Sequence, residues 1–306
     1  MSITVFGSVN LDFTVYVNSL PRAGETLHAL RQISGLGGKG ANQAVAATKL
    51  STDKVRFVTA LGKDAFADTI RAELSGYGVD MSDIKTFDEA ASGNALIHVD
   101  KESQNTITVV GGANMAWADD GPDAAVFDGC KVAVFQFETP IKATLAAMQA
   151  AKQRGATVIL DPAPVPDAPI DAVLAAADVV TPNETEAEAL TGIRPVDKES
   201  ALRAAHALVA MGPSLAVVKM GANGLYYATK NGTVGYMLPF KVNAIDAVAA
   251  GDCFCGALAV ALSEGMDTED ALRFASGAGA LATTQYGAAA SAPSRADLDR
   301  LVSQPA

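Results

Sequence analysis

The chain has 306 residues, 49% of them hydrophobic, and 34 acidic against 23 basic residues leave a formal charge of −11. That acidity argues against nucleic-acid binding, which needs basic surface for phosphates, and against docking on anionic membranes. It leaves room for ATP, whose phosphates backbone N–H groups and Mg²⁺ can hold.

Cys130, Cys253 and Cys255 are an odd set with no framework spacing, and His28, His98 and His206 are too scattered for a metal cluster. With no basic leader at the N-terminus and no unbroken apolar run of about 18 residues, a reduced, cytoplasmic protein is expected.

In chain order, residues 3–9 read as a buried strand. Residues 13–17 and 26–34 alternate weakly around a turn at 21–24 and read as strands of a small exposed sheet. An Ala-rich helix is expected over 39–50, a strand over 55–61 and a helix over 65–76. Residues 94–99 and 105–110, joined by a turn at 100–104, form a second strand pair that completes the small sheet.

From residue 131 the pattern is regular: strand 131–136, helix 140–153, strand 156–160, helix 169–176, strand 178–181, helices 184–191 and 197–210, strand 215–219. Residues 223–242 read as antiparallel edge strands, and helices at 251–264, 267–285 and 294–302 finish the chain. Such alternation predicts an α/β fold with a mainly parallel sheet covered on both faces. One domain over 1–306 is expected, with a β appendage built from about 13–36 and 92–112.

Ligands of open α/β sheets bind beyond the carboxyl ends of the strands. Polar side chains gather there: Asn10 and Asp12, Gln136 and Glu138, Asp161, Asn183 and Lys219.

Two Gly-rich segments stand out. Gly35, Gly37 and Gly40 match a dinucleotide-binding G-x-G-x-x-G, with Asp64 beyond the next strand. An NAD-dependent oxidoreductase is therefore one reading. A bare Gly hinge is another, and a hinge that also presents backbone to a ligand, with Asn42 reaching its hydroxyls, is a third.

Ala249, Ala250, Gly251 and Asp252 precede a long Ala/Leu/Phe helix, whose first N–H groups favour an anion. Taken locally, Asp252 is either a helix-start carboxylate or a general base beside developing phosphoryl charge. Walker, protein-kinase and G-x-S-x-G signatures do not occur.

Five segments together resemble the ribokinase family of carbohydrate kinases (the phosphofructokinase-B superfamily). They are Gly7 to Asp12, Gly37 to Gln43, Gly111 to Asn114, Thr181 to Glu186 and Asp246 to Asp252. The resemblance runs over about 3–295 and implies a three-layer ribokinase-like sandwich with a small β-sheet lid.

It implies that Asp252 takes the proton from a primary hydroxyl as it attacks the γ-phosphoryl group of ATP. Backbone N–H groups of Ala249, Ala250 and Gly251 would stabilise the charge in transfer. Asn10, Asp12, Gly38, Lys39, Asn42 and Glu138 would bind the sugar. Asn183 and Glu186 would orient phosphate and Mg²⁺ through water, and Lys219, Gly221, Gly224 and Ser276 would border the nucleotide. Asp246, Val248, Ala282, Gln285, Gly287 and Ser291 would surround K⁺, mostly through backbone oxygens. The lid is expected to close over the sugar and to form a homodimer.

Three residues depart from the family pattern. Ala247 replaces a Thr beside the cation, Lys219 stands where Thr is frequent by the phosphates, and Ser276 where Asn or His is frequent near adenine. Ribose is the preferred substrate. Another sugar or a nucleoside is an alternative, and a catalytically silent sugar sensor would have no use for an intact Asp252.

Overall fold

Each central strand is apolar on both faces, and this dictates layers above and below. The computed structural model describes residues 2–102 and 104–304, so Ser103 in the expected turn at 100–104 lies outside the described residues, as do Met1, Pro305 and Ala306.

In chain order the elements are β1 (Ile3–Phe6), β2 (Asn10–Tyr16), β3 (Arg31–Gly37), α1 (Lys39–Leu50), β4 (Val55–Leu61), α2 (Ala65–Gly76), β5 (Ile84–Thr86), β6 (Asn94–Val99) and β7 (Asn105–Val110). Then follow β8 (Val132–Phe135), α3 (Ile141–Gln153), β9 (Thr157–Leu160), α4 (Asp171–Ala176), β10 (Val179–Val180), α5 (Glu184–Thr191), α6 (Lys198–Ala210) and β11 (Leu215–Lys219). The chain ends with β12 (Leu225–Thr229), β13 (Val234–Met237), α7 (Ala250–Ser263), α8 (Thr268–Ala282) and α9 (Arg295–Val302).

Among the described residues the large sheet has nine strands in the order β13-β12-β11-β10-β9-β8-β1-β4-β5. It is parallel from β11 to β5, and antiparallel at the edge formed by β12 and β13. Period-two alternation sends Val132, Val134, Ile159 and Val217 into the core shared with α1, α2, α7, α8 and α9. Ala133, Phe135, Leu160 and Val218 point into the opposite core, shared with α3, α4, α5 and α6. The result is the expected three-layer sandwich.

The second sheet has four strands, ordered β3-β2-β6-β7. Its strands fall within or close to the expected appendage segments 13–36 and 92–112.

One expectation needs correction here, and one element was not expected. The strand expected at 26–34 begins at Arg31 and runs on to Gly37, because it pairs residue for residue with β2, from Tyr16↔Arg31 to Asn10↔Gly37. Residues 26–30 are exposed apart from half-buried Leu27 and have no face to bury. The strand β5 escaped the sequence reading: it is three residues long, at the sheet edge and partly exposed, too short for alternation to register.

Candidate functional site

Asp252 sits in the first turn of α7, beyond the carboxyl ends of the parallel strands, and is 5% exposed. The helix starts from Ala249 in the left-handed region (φ 58°), a conformation costing an alanine about 1–2 kcal/mol. Among the described residues no side chain caps this terminus. The Ala250 N–H turns back to Ala247 O at 3.3 Å, so of the three expected charge-stabilising donors it is internally engaged. The first-turn N–H of Gly251 has no helical acceptor and remains available to an anion.

The opposite wall is the N-terminal end of α1. Only Gly38 separates it from β3, and its φ of 87° is one that L side chains rarely adopt. Asn42 Nδ2 donates to Asp252 Oδ2 at 2.9 Å, and Gln43 Nε2 donates to Asp252 Oδ1 at 3.1 Å. The two helices can approach because Gly256 lacks a side chain: a Cβ there would lie 2.7 Å from Gln43 O.

Burial pushes the Asp252 carboxyl up to about 6, against the pull of Lys39. Burial works against the charge of Lys39 in turn, but Asp252, Asp161, Glu138 and Glu186 hold its ammonium well above the usual lysine range.

The third wall comes from the small sheet. Asp12 lies on β2, and burial, with the charge of Glu138, pushes its carboxyl up to about 7. Its Oδ1 is buried with no hydrogen-bond partner, and so is Asn42 Oδ1. Gly37 keeps this corner open, since a Cβ on it would lie 1.9 Å from Asp12 Oδ2. Asn10 Oδ1 accepts from Asn114 Nδ2 at 2.9 Å, while the Asn114 amide also bridges Val9 N and Val9 O, each at 3.0 Å. Glu138 accepts from Ser8 Oγ and from the Lys39 N–H at 2.9 Å.

On the far side of Asp252, Lys219 ends β11 with its ammonium 3.4 Å from Asp161 Oδ1. A Cβ on Gly251 would lie 3.3 Å from Lys219 Nζ, so this charge stands beside the N-terminus of α7. Burial opposes it, yet Asp161 keeps Lys219 above the usual lysine range. Asn183 and Glu186 form a capping box on α5, with Asn183 Oδ1 accepting from Glu186 N at 2.9 Å and Glu186 Oε2 from Asn183 N at 2.8 Å. Burial and then the charge of Asp161 raise the Glu186 carboxyl. Carboxylates set against each other in this way are hard oxygen donors suited to Mg²⁺.

Gly221 and Gly224 flank the turn after β11, and the Ser276 hydroxyl donates to Met237 Sδ at 3.7 Å. Farther round, Asp246 accepts from Val248 N at 3.0 Å and Gly287 N at 3.2 Å, tying together two of the segments expected around K⁺. Ala282 ends α8, Gln285 lies three residues on, and the Ser291 hydroxyl donates to Ala288 O at 2.8 Å. Among the described residues no cluster of three His, Cys, Asp or Glu side chains could hold a metal alone.

The dinucleotide reading of residues 35–40 does not survive this geometry. Gly35 and Gly37 lie within β3 of the small sheet instead of following a central strand. Asp64 caps α2 and binds the Ser92 N–H at 2.7 Å and hydroxyl at 2.8 Å, which leaves it no ribose to hold.

Sequence reasoning gave no role to Gln43, Ser8 or Asn114, and saw Gln136 and Asp161 only as strand-end polar groups. The available signal was a polar Gln in an otherwise Ala/Val-rich helical run.

Among known proteins, a family model described as "pfkB family carbohydrate kinase" matches residues 1–295. The ribokinase of Haemophilus influenzae is 37% identical over 296 residues, covering 96% of each chain. The deoxyribokinase of Salmonella typhi is 37% identical over 297 residues, again covering 96% of each. In structure the chain is similar to Arabidopsis thaliana ribokinase complexed with ribose and ATP, with TM-score 0.93, 33% identity and 99% of both chains covered.

Proposed function

The chain belongs to the pfkB family of carbohydrate kinases, and from that premise we propose that it transfers the γ-phosphoryl group of MgATP to the primary hydroxyl of ribose, giving ribose 5-phosphate. The observation that carries the choice of a sugar is the pair of buried acceptors without partners, Asp12 Oδ1 and Asn42 Oδ1, the second on the side chain whose Nδ2 holds Asp252. An unpaired buried acceptor costs about 1–3 kcal/mol, and a polyhydroxylated ligand brings the O–H donors that remove this cost. Asn10, Gly38, Lys39 and Glu138 complete the sugar wall.

In the proposed step Asp252 accepts the proton of the attacking hydroxyl. The new O–P bond forms as the bond from the γ-phosphorus to the β-phosphate oxygen breaks, and ADP leaves with the electron pair. The backbone around Ala249, Ala250 and Gly251 faces the charge in transfer, with Gly251 the free donor and Lys39 and Lys219 the nearby cations. Mg²⁺ bound with the nucleotide neutralises charge on its phosphates; Glu186 and Asn183 would hold it through water, beside Asp161. Gly221, Gly224 and Ser276 would border the nucleotide.

The loops carrying Asp246, Val248, Ala282, Gln285, Gly287 and Ser291 are assigned to K⁺ through backbone oxygens. Ala247 offers no hydroxyl there, so rate against KCl concentration is expected to give weak activation. The small sheet is assigned as the lid, and its Asp12 face as the homodimer surface. On that face the paired rows place Ile33, Ile97, Ile107 and Val109, and Ile33, Ile107 and Val109 are about half exposed. Among the described residues no helix is long and apolar enough to cross a membrane; a cytoplasmic home with MgATP at hand suits the three buried, free cysteines.

An ADP-release assay over ribose, 2-deoxyribose, fructose, ketodeoxygluconate and nucleosides tests the assignment. Ribose is expected to give the highest kcat/KM, and a nucleoside preference would refute it. The Salmonella typhi relative favours 2-deoxyribose as the second reading, and the ratio of the two pentoses decides between them.

A further inference from the structure

Gln43 has no part in the reaction as derived so far, yet it is fully buried and every polar atom of its side chain is engaged. Its Nε2 lies 3.1 Å from Asp252 Oδ1 and 3.1 Å from Asp161 Oδ2. Its Oε1 accepts from Gln136 Nε2 at 2.6 Å. Ionised carboxylates only accept, so the nitrogen of this amide must face them, and its two hydrogens supply one donor to each. The orientation of Gln136 follows, since Gln43 Oε1 needs a donor.

We propose that Gln43 is the positioning residue of the base: one amide nitrogen, shared between Asp252 and Asp161, fixes the Asp252 carboxylate for proton transfer. The proposal rests on the reading of Asp252 as the base. Asn42 holds the other oxygen of that carboxylate at 2.9 Å. Consecutive residues of α1 thus grip both oxygens, and rotation of the carboxylate breaks at least one of the two bonds. Without Gln43, the Asp161 charge would face Asp252 with their shared amide donor gone; Glu138 pushes in the same direction as Asp161, and among the charges Lys39 alone pulls the other way. That loss disfavours the ionised base and adds to the upward push that burial already exerts. The close approach at Gly256 pins the α1 backbone against α7, so a change at Gln43 acts through its side chain.

The test compares wild type, Gln43→Met and Asp252→Asn with MgATP and ribose, reading kcat and kcat/KM against pH, ribose Kd by calorimetry and the thermal melt. Gln43→Met is expected to bind ribose close to wild type and to move the acid limb of kcat up by about one to two pH units, the size of one lost hydrogen bond to a charged group. Near pH 7 this reads as roughly a 2- to 10-fold loss, growing toward 10- to 100-fold well below pH 6 and recovering as the pH rises. An unshifted limb, or a loss equal at every pH, overturns the inference while an inactive Asp252→Asn leaves the base standing. An active Asp252→Asn overturns the base itself. Should Gln43→Met fail to fold, Gln136→Met removes only the 2.6 Å support of Gln43; a smaller shift in the same direction upholds the proposal and an unmoved limb sinks it.

Discussion

Replacing Asp252 by Asn keeps its shape and removes both its charge and one acceptor. The carboxylate accepts from Asn42 on one oxygen and Gln43 on the other, so the new amide must point its NH₂ at one of these donors. A general base contributes about 10²- to 10⁴-fold, or roughly 3–5 kcal/mol of barrier, and kcat should fall by that much. Stability should not fall with it. The folded carboxyl titrates near 6, above the ordinary 3.8, so the folded chain binds this proton more tightly than the unfolded one. Stability from this group is therefore full below about 3.8, declines as the pH rises to about 6, and is gone at neutral pH. Burying the ionised form costs on the order of 3 kcal/mol there; Asn escapes that cost but meets a donor–donor conflict of about 1–3 kcal/mol. The expected variant is folded, melts close to wild type at pH 7, binds ribose and is nearly inactive, with no acid limb near pH 6 in its residual rate. A kcat within tenfold of wild type, or a residual rate that still falls through pH 6, would refute the assignment.

Asp12 titrates near 7, so sugar affinity should weaken as the pH falls below that value, as seen in KM or in calorimetry. Asp12→Asn should raise KM about 10- to 100-fold, flatten that dependence and leave kcat less affected. Lys219→Met leaves Asp161 buried beside a hydrophobic side chain, and breaking such a pair costs about 3–5 kcal/mol. Its melt should drop and its KM for ATP rise; adding Asp161→Asn should restore the melt but not the ATP affinity, and a melt unchanged by Lys219→Met would contradict the pairing.

The order of layers was legible because it is written locally. Ile3 and Val5 alternate with Phe6 across β1, and Ala133 and Phe135 with Val132 and Val134 across β8, so each strand names two cores. The small sheet was less legible because β3 takes its ends from β2, and a partner's length is invisible in the segment itself. Asp252 was ambiguous for a similar reason. A carboxylate in the first turn of a helix complements the dipole wherever it occurs, and only neighbours 209 and 210 residues away, Gln43 and Asn42, make its surroundings distinctive. Gln43 itself could be noticed as polar in an apolar helix, but its partners sit 93, 118 and 209 residues off, just beyond β8, just beyond β9 and in α7. No spacing rule spans such separations.

The connection between the small sheet and the base is shorter than the chain order suggests. The strand β3 ends at Gly37 and α1 begins at Lys39, so Gly38 alone joins the sheet carrying Asp12 to the helix carrying Asn42 and Gln43. A ligand that donates to both Asp12 Oδ1 and Asn42 Oδ1 spans that joint and satisfies one acceptor on each side of it. The proposed closure over the sugar would therefore reach the helix that holds both oxygens of Asp252 through a single residue.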